Sequence, residues 1–150
     1  MNKYSDKFVI ANNITHHYLE WGNISAKTII MLHGIGLCAQ VWNWTAQNLA
    51  SNYHILSLDM RGHGDSQKPE TGYTFRDLAN DLNSIVTKLN LDKPYIVGHS
   101  AGGSAAIIAH SIQAGILGPS IIIDSRVGGS RALSSNADMR SRPERTRRKR

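Results

Sequence analysis

The chain has 150 residues, of which 41% are hydrophobic and 19% are charged, and its formal net charge is +6. These values suit one domain of modest size and exclude disorder throughout, a collagen-like repeat and a coiled coil. Because Cys38 is the single cysteine, an internal disulfide is ruled out, which indicates a reducing, cytoplasmic location. The sequence offers no apolar run typical of a signal peptide or a membrane span, so no membrane partner is expected.

The charge is divided unevenly along the chain. Residues 1–125 carry eight Lys or Arg and nine Asp or Glu, whereas residues 126–150 carry nine and two. The regular spacing of apolar residues also stops near this boundary. We therefore expect a partial α/β domain over residues 1–125, followed by a basic, disordered tail over residues 126–150.

Two strands are predicted first, at residues 8–11 and 14–21, joined by an Asn-Asn turn. A continuous apolar run at residues 28–32 is typical of a strand buried on both faces. Residues 40–50 carry apolar side chains at helical spacing and predict a helix. Residues 54–58 predict the next short strand.

A turn-rich segment separates this half of the domain from a long helix capped by Thr74, with Asp77 three residues later. Residues 94–97 then predict a strand, residues 101–114 a helix rich in small side chains, and residues 120–123 a final strand. From the third strand onward the order is β-α-β-α-β-α-β. Such alternation predicts an α/β fold, with a mostly parallel sheet and helices on both of its faces.

The Gly-x-Ser-x-Gly pattern of residues 98–102 is the sharpest chemical signal. It lies between a predicted strand and a predicted helix, where its glycines let the two elements approach and leave Ser100 on a strained corner with its hydroxyl exposed. The following helix offers unpaired N–H groups and positive potential to a developing oxyanion. The pattern therefore predicts a nucleophilic serine. The structural alternative is an ordinary glycine-rich turn.

Together with two other motifs, this turn resembles the α/β-hydrolase family. His-Gly-Ile-Gly follows the third strand at residues 33–36, and Asp-Met-Arg-Gly-His-Gly-Asp-Ser follows the fourth at residues 59–66. Their order and spacing are similar to the N-terminal half of that family over about residues 7–125. The resemblance implies an α/β-hydrolase fold that lacks its C-terminal strands.

The resemblance also implies a set of site residues. Ser100 would be the nucleophile, and the backbone N–H groups of Ile35 and Ala101 would form the oxyanion hole. A serine at this position resembles the esterase, thioesterase and carbon–carbon hydrolase branches rather than the dehalogenase and epoxide hydrolase branches. The implied substrate is a small molecule with an ester, thioester or related acyl bond, and no cofactor and no metal are expected.

A serine nucleophile requires a general base, normally a histidine oriented by a carboxylate, in the chain order Ser, acid, His. After Ser100 the only histidine is His110, which lies about 15 Å along the same predicted helix. Asp124 is a candidate acid at the end of the last strand, although a turn carboxylate is the favoured interpretation. Because the triad histidine is missing, we expect weak or absent esterase activity.

The earlier histidines do not supply an obvious replacement. His33 is expected to support the oxyanion loop, His63 to belong to a turn, and His99 to point away from the neighbouring serine. His16 and His17 are adjacent on an alternating strand and cannot both face one metal ion. The sequence therefore predicts no metal site.

Two other functions are consistent with parts of the sequence. Residues 34–39 match Gly-x-Gly-x-x-Ala after a strand, and Asp59 follows about 20 residues later, as in a dinucleotide-binding domain. That interpretation leaves His33 and the Ser100 turn unexplained. Alternatively, the chain is a non-catalytic remnant whose basic tail binds nucleic acid or another polyanion. Nucleic-acid binding is disfavoured, because the tail has no aromatic residue for base stacking.

The last predicted strand, at residues 120–123, raises a separate expectation. It is apolar and would be an interior strand in the complete fold. In this chain it becomes a sheet edge, which favours pairing with a second copy or aggregation.

Overall fold

The computed structural model describes residues 4–125, so the expected tail at residues 126–150 lies outside the described residues. The described strands are β1 (Ser5–Ala11), β2 (Ile14–Trp21), β3 (Thr28–Leu32), β4 (His54–Leu58), β5 (Tyr95–His99) and β6 (Ser120–Ile123). The described helices are α1 (Asn43–Leu49), α2 (Phe75–Lys88) and α3 (Ala101–Ile112), and a 3-10 turn at Ala39–Trp42 precedes α1. In this part of the chain, every helix is too short or too polar to cross a membrane.

The strands form one sheet in the order β1-β2-β4-β3-β5-β6. β1 and β2 form an antiparallel hairpin, and β2 also pairs antiparallel with β4. The remaining neighbours, β4-β3-β5-β6, are all parallel. At the hairpin turn Asn12 and Asn13 have φ values of 51° and 58°, the left-handed conformation that a tight two-residue turn requires. The predicted mostly parallel sheet is confirmed.

Helices cover both faces of the sheet, as the sequence predicts. On one face α2 and α3 pack over a buried cluster that includes Ile30, Leu56, Leu82 and Ile96. On the other face the 3-10 turn and α1 cover the central strands β2, β3 and β4. Both β3 and β4 are buried along their whole length, which explains the continuous apolar run of β3, and in β4 even the polar His54 and Ser57 are buried.

The start of α2 confirms the predicted cap at Thr74. The Thr74 hydroxyl accepts a hydrogen bond from the Asp77 N–H at 3.2 Å. In return the Asp77 carboxylate accepts from the Thr74 N–H at 2.9 Å, which completes a capping box.

The helix predicted at residues 40–50 is the main local difference. It is divided into the 3-10 turn and the seven-residue α1. The physical reason is that tertiary hydrogen bonds hold both peptide groups of Ala39. Its N–H donates to Asp59 Oδ1 at 2.6 Å, and its carbonyl accepts from the Ser57 hydroxyl at 2.8 Å. These bonds hold the backbone at the start of the 3-10 turn, at whose end the Asn43 N–H bonds to the Gln40 carbonyl three residues back.

Two strands are longer than predicted because pairing extends them. β1 begins at Ser5, where Ser5 aligns with Glu20 and the neighbouring Lys7 forms an ion pair with Glu20 at 2.9 Å. β5 continues to His99, which is in register with Ile123 of β6. The carboxyl ends of β3, β4 and β5 thus meet at one edge of the sheet.

Candidate active site

Ser100 lies at the junction of β5 and α3, at this carboxyl edge. Its φ of 51° and ψ of −114° belong to a region that residues with a side chain rarely adopt. Ser100 is the N-cap residue of α3, yet its side chain makes no capping hydrogen bond. Within residues 4–125 its hydroxyl therefore stays available for chemistry.

The glycines around Ser100 are required by close packing. A Cβ at Gly98 would lie 2.7 Å from the carbonyl oxygen of Gly102. A Cβ at Gly102 would lie 2.6 Å from both the Cβ and the carbonyl oxygen of Leu32. Real Cβ atoms do not approach other atoms so closely, so only glycine allows the start of α3 to contact β3 and β5. The structure has the tight strand-to-helix turn that the sequence predicts.

The two predicted oxyanion donors belong to the two segments that flank Ser100. Ala101 is the first residue of α3, where backbone N–H groups have no acceptor within the helix. Ile35 belongs to the loop after β3, and the preceding Gly34 lies against the serine. A Cβ at Gly34 would be 3.2 Å from the Ser100 Cβ and 3.0 Å from His99 Nδ1. The loop, the serine and the helix start thus form one small site.

The buried side chain of His33 holds this loop through two hydrogen bonds to the backbone. It is fully buried, its Nδ1 donates to the Gly34 carbonyl at 2.8 Å, and its Nε2 accepts from the Met60 N–H at 3.1 Å. Burial lowers its pKa from 6.5 to about 4, so the ring is neutral at pH 7. With both nitrogens bonded to backbone groups, His33 has the geometry of a structural histidine. The His63 ring lies edge-on to it and bonds through Nδ1 to the Arg61 carbonyl at 3.0 Å.

Within the described residues, neither of the two remaining candidates, His110 and Asp124, is hydrogen-bonded to the Ser100 hydroxyl. His110 bonds through Nε2 to the Ser120 hydroxyl at 2.8 Å and so ties α3 to β6. Asp124 is exposed, has a φ of 46°, and makes no hydrogen bond within the described residues. Its position is that of a carboxylate in a strand-end turn.

Asp59 occupies a polar centre that sequence reasoning missed. Its Oδ2 accepts from His17 Nδ1 at 2.8 Å and from the Asp65 N–H at 2.9 Å, while Oδ1 binds the Ala39 N–H. The side chains of His17, Asp59 and Asp65 are close enough together to hold a metal ion. However, N–H donors already occupy both Asp59 oxygens, which is the pattern of a structural carboxylate. His17 lies 42 residues from Asp59, so no local signal could have paired them.

A second buried polar cluster holds the turn-rich segment to α2. Arg61 binds Asp81 through Nε and one terminal nitrogen, each at 2.5 Å, and binds the Gly72 carbonyl at 2.6 Å. Asn12 also donates to Asp81 at 2.8 Å. His16 lies 3.8 Å from the same carboxylate, and its pKa is lowered by burial. The conformation after β4 thus depends on these tertiary contacts.

The alpha/beta hydrolase fold family matches residues 27–110, which include the His33 loop, the Arg61 segment and the Ser100 turn. This chain belongs to that family. It is similar to the N-formylmaleamate deformylase of Pseudomonas putida, with 33% identity over 122 residues, which are 81% of this chain and 45% of the relative. It is also similar to the soluble epoxide hydrolase of a Corynebacterium species, with 36% identity over 95 residues, which are 63% and 32% of the two chains.

The fold of a solved relative agrees with this assignment. The crystal structure of the N-formylmaleamic acid deformylase from Pseudomonas putida S16 matches with a TM-score of 0.77 and 25% identity. The match covers 83% of this chain and 48% of the deformylase. This alpha/beta hydrolase chain therefore spans less than half the length of each of these relatives. Because a deformylase and an epoxide hydrolase are about equally similar to it, overall similarity does not distinguish the reaction types.

Proposed function

We propose that this alpha/beta hydrolase chain cleaves an ester, thioester or related acyl bond of a small molecule, with Ser100 as the nucleophile. The observation that carries the proposal is the strained backbone of Ser100, which leaves its hydroxyl without a capping bond beside the Ile35 loop and the first turn of α3. Both named relatives are hydrolases, which supports hydrolytic chemistry. Serine rather than aspartate at the turn favours acyl transfer over epoxide opening.

The proposed reaction has two steps. The Ser100 Oγ attacks the acyl carbon, forms an Oγ–C bond and transfers negative charge to the carbonyl oxygen. The N–H groups of Ile35 and Ala101 stabilise that charge. Collapse of the intermediate breaks the bond to the alcohol or thiol, which leaves with the proton that the Ser100 hydroxyl has lost. Water then cleaves the acyl-enzyme and regenerates the serine.

The rate of the first step depends on how readily the Ser100 hydroxyl loses its proton. Within residues 4–125 no histidine nitrogen is hydrogen-bonded to that hydroxyl, and the ring nitrogens of His33 serve the backbone instead. Loss of a triad base leaves a rate only ~10³–10⁴ above that in water. We therefore propose that the 150-residue chain hydrolyses esters slowly, without a cofactor or a metal ion.

A chromogenic short-chain ester tests this proposal. We expect slow turnover by the unchanged chain and none above background by Ser100→Ala. Ser111→Ala is a matched control, because the hydroxyl of this exposed serine of the same helix bonds, among residues 4–125, to the nearby Ile108 carbonyl alone. If Ser100→Ala hydrolyses the ester as fast as the unchanged chain, Ser100 is not the nucleophile. Turnover at rates ordinary for the family would refute the impairment.

The other expectations remain proposals. A cytoplasmic location is supported only by Cys38 being the single cysteine. Binding of polyanions depends on residues 126–150, which lie outside the described residues, and deleting them should abolish any salt-dependent retention of nucleic acid. The dinucleotide-binding alternative gains no support, because the loop at residues 34–39 leads into a 3-10 turn rather than directly into a helix.

A further inference from the structure

Hydrogen bonds from the end of β6 hold the peptide groups on both sides of Ser100. The Ser100 N–H donates to the Ile123 carbonyl at 2.9 Å. The Ser125 hydroxyl donates to the Ser100 carbonyl at 2.6 Å, and the same carbonyl accepts the helical bond from the Ser104 N–H at 3.1 Å. The Ser104 hydroxyl completes the group with a 3.0 Å bond to the Ser125 hydroxyl.

The packing at Gly103 allows Ser125 to reach this position. A Cβ at Gly103 would lie 2.7 Å from the Ser125 Cβ and 2.9 Å from its Oγ. Any side chain at residue 103 would therefore displace Ser125 from the Ser100 carbonyl. Ser125 is itself half-buried, so its hydroxyl bond is partly shielded from water.

The carbonyl that Ser125 holds belongs to the same peptide group as the Ala101 N–H. Because a trans peptide is planar, its C=O and N–H point in opposite directions. Fixing the Ser100 carbonyl therefore fixes the direction of the Ala101 N–H. The bond from His33 to the Gly34 carbonyl acts in the same way on the Ile35 N–H.

We propose that Ser125 is a positioning residue, whose hydroxyl aims the Ala101 N–H and holds the strained Ser100 backbone through the Ser100 carbonyl. This inference rests on the proposed function, since it assigns a role within the same site. A strained backbone persists only where its surroundings hold it from several sides. Ser100 has no side-chain cap, so the bonds of its N–H and carbonyl supply that restraint. The Ser125 hydroxyl bonds to the Ser100 carbonyl and the Ser104 hydroxyl rather than to the Ser100 hydroxyl.

Ester hydrolysis by the full chain tests the role of Ser125. We expect Ser125→Ala to lower kcat about tenfold with KM unchanged, because misaimed groups lose transition-state contacts rather than substrate binding. Ser125→Thr keeps a hydroxyl and should recover most of kcat. The matched control is Ser104→Ala, which removes only the outer hydroxyl and should stay within about twofold of the unchanged chain. An unchanged kcat in Ser125→Ala, with only a lower Tm, would overturn the proposal.

Amide hydrogen exchange provides a readout that needs no turnover. The Ser100 and Ser104 N–H groups should exchange faster in Ser125→Ala than in Ser104→Ala or Ser125→Thr, because the Ser100 peptide loses a restraint. Equal exchange in the three variants would overturn the restraint on Ser100. If Ser100→Ala keeps full turnover, the hydrolase proposal fails. The exchange measurement then still decides whether Ser125 restrains Ser100.

Discussion

The imidazole of His33 donates a hydrogen bond to the Gly34 carbonyl at 2.8 Å, while its other nitrogen accepts one from the Met60 N–H. One buried ring thereby joins the loop after β3 to the segment after β4. Both bonds require the neutral ring with its proton on Nδ1. Protonation would turn Nε2 into a donor facing another donor, so the geometry of the loop depends on pH.

This arrangement predicts acid sensitivity. Burial lowers the pKa of His33 from 6.5 to about 4. Above pH 6.5 the ring is neutral in both the folded and the unfolded chain, and its contribution is constant. As the pH falls from 6.5 to about 4, only the unfolded chain gains the proton, so the free energy of unfolding decreases by about 3 kcal/mol. Urea unfolding between pH 7.5 and 4.5 measures this change.

The matched control for acid sensitivity is His33→Asn, which cannot titrate. It should be less stable at pH 7 and should lose less stability on acidification than the unchanged chain. Burial also lowers the pKa of His16, so some pH dependence will remain in that variant. Parallel pH profiles of the two proteins would show that His33 does not cause the effect.

Arg61→Met should strongly destabilise the fold. The substitution leaves the buried Asp81 carboxylate without its two-point partner and frees the Gly72 carbonyl. Removing one member of a buried ion pair costs about 3–5 kcal/mol. Lys7→Met is the control and should leave the urea midpoint nearly unchanged, because Lys7 is 47% exposed and its partner Glu20 keeps a hydrogen bond to His54. Similar midpoints for both variants would contradict this assignment.

A comparison of Gly102→Ala with Gly36→Ala distinguishes a steric clash from backbone strain as the reason for glycine. The Cβ added at Gly102 would lie 2.6 Å from Leu32, and overpacking of this kind costs about 1–3 kcal/mol. Gly36→Ala is the comparison, since Gly36 has a φ of +76° but open space around it. We expect Gly102→Ala to lower both Tm and ester turnover more than Gly36→Ala does. Larger losses of Tm and turnover in Gly36→Ala would show that α3 can shift away from β3.

Among residues 4–125, β6 pairs only with β5 and exposes Ile121 and Ile123 by 63% and 40%. We therefore predict that the 150-residue chain self-associates through this edge. Ile121→Lys should reduce the apparent mass in light scattering. Ile24→Lys should leave it unchanged, because Ile24 is 74% exposed and belongs to the loop between β2 and β3 rather than to β6. A monodisperse monomer before any substitution would disprove the prediction.

Local chemistry made much of the fold predictable. A continuous apolar run identifies β3, and the capping box identifies the start of α2, because the residues of each signal lie within a few positions of one another. The same is true of the turn at Ser100, whose glycines and helix start are contiguous. The 3-10 turn at Ala39–Trp42 was not predictable, since its first residue is held by Ser57 of β4 and by Asp59 just after β4, which are distant in sequence.

The sequence by itself determined the order of the strands and helices along the chain and the position of Ser100 at a strand-to-helix turn. It also determined that the strands form a mostly parallel sheet. Periodicity and turn chemistry are properties of neighbouring residues, so they can be recognised without a structure. Only the tertiary structure decided which polar groups meet. Ser125 reaches Ser100 across 25 residues and His17 reaches Asp59 across 42, because parallel crossovers and strand register bring distant segments to one edge.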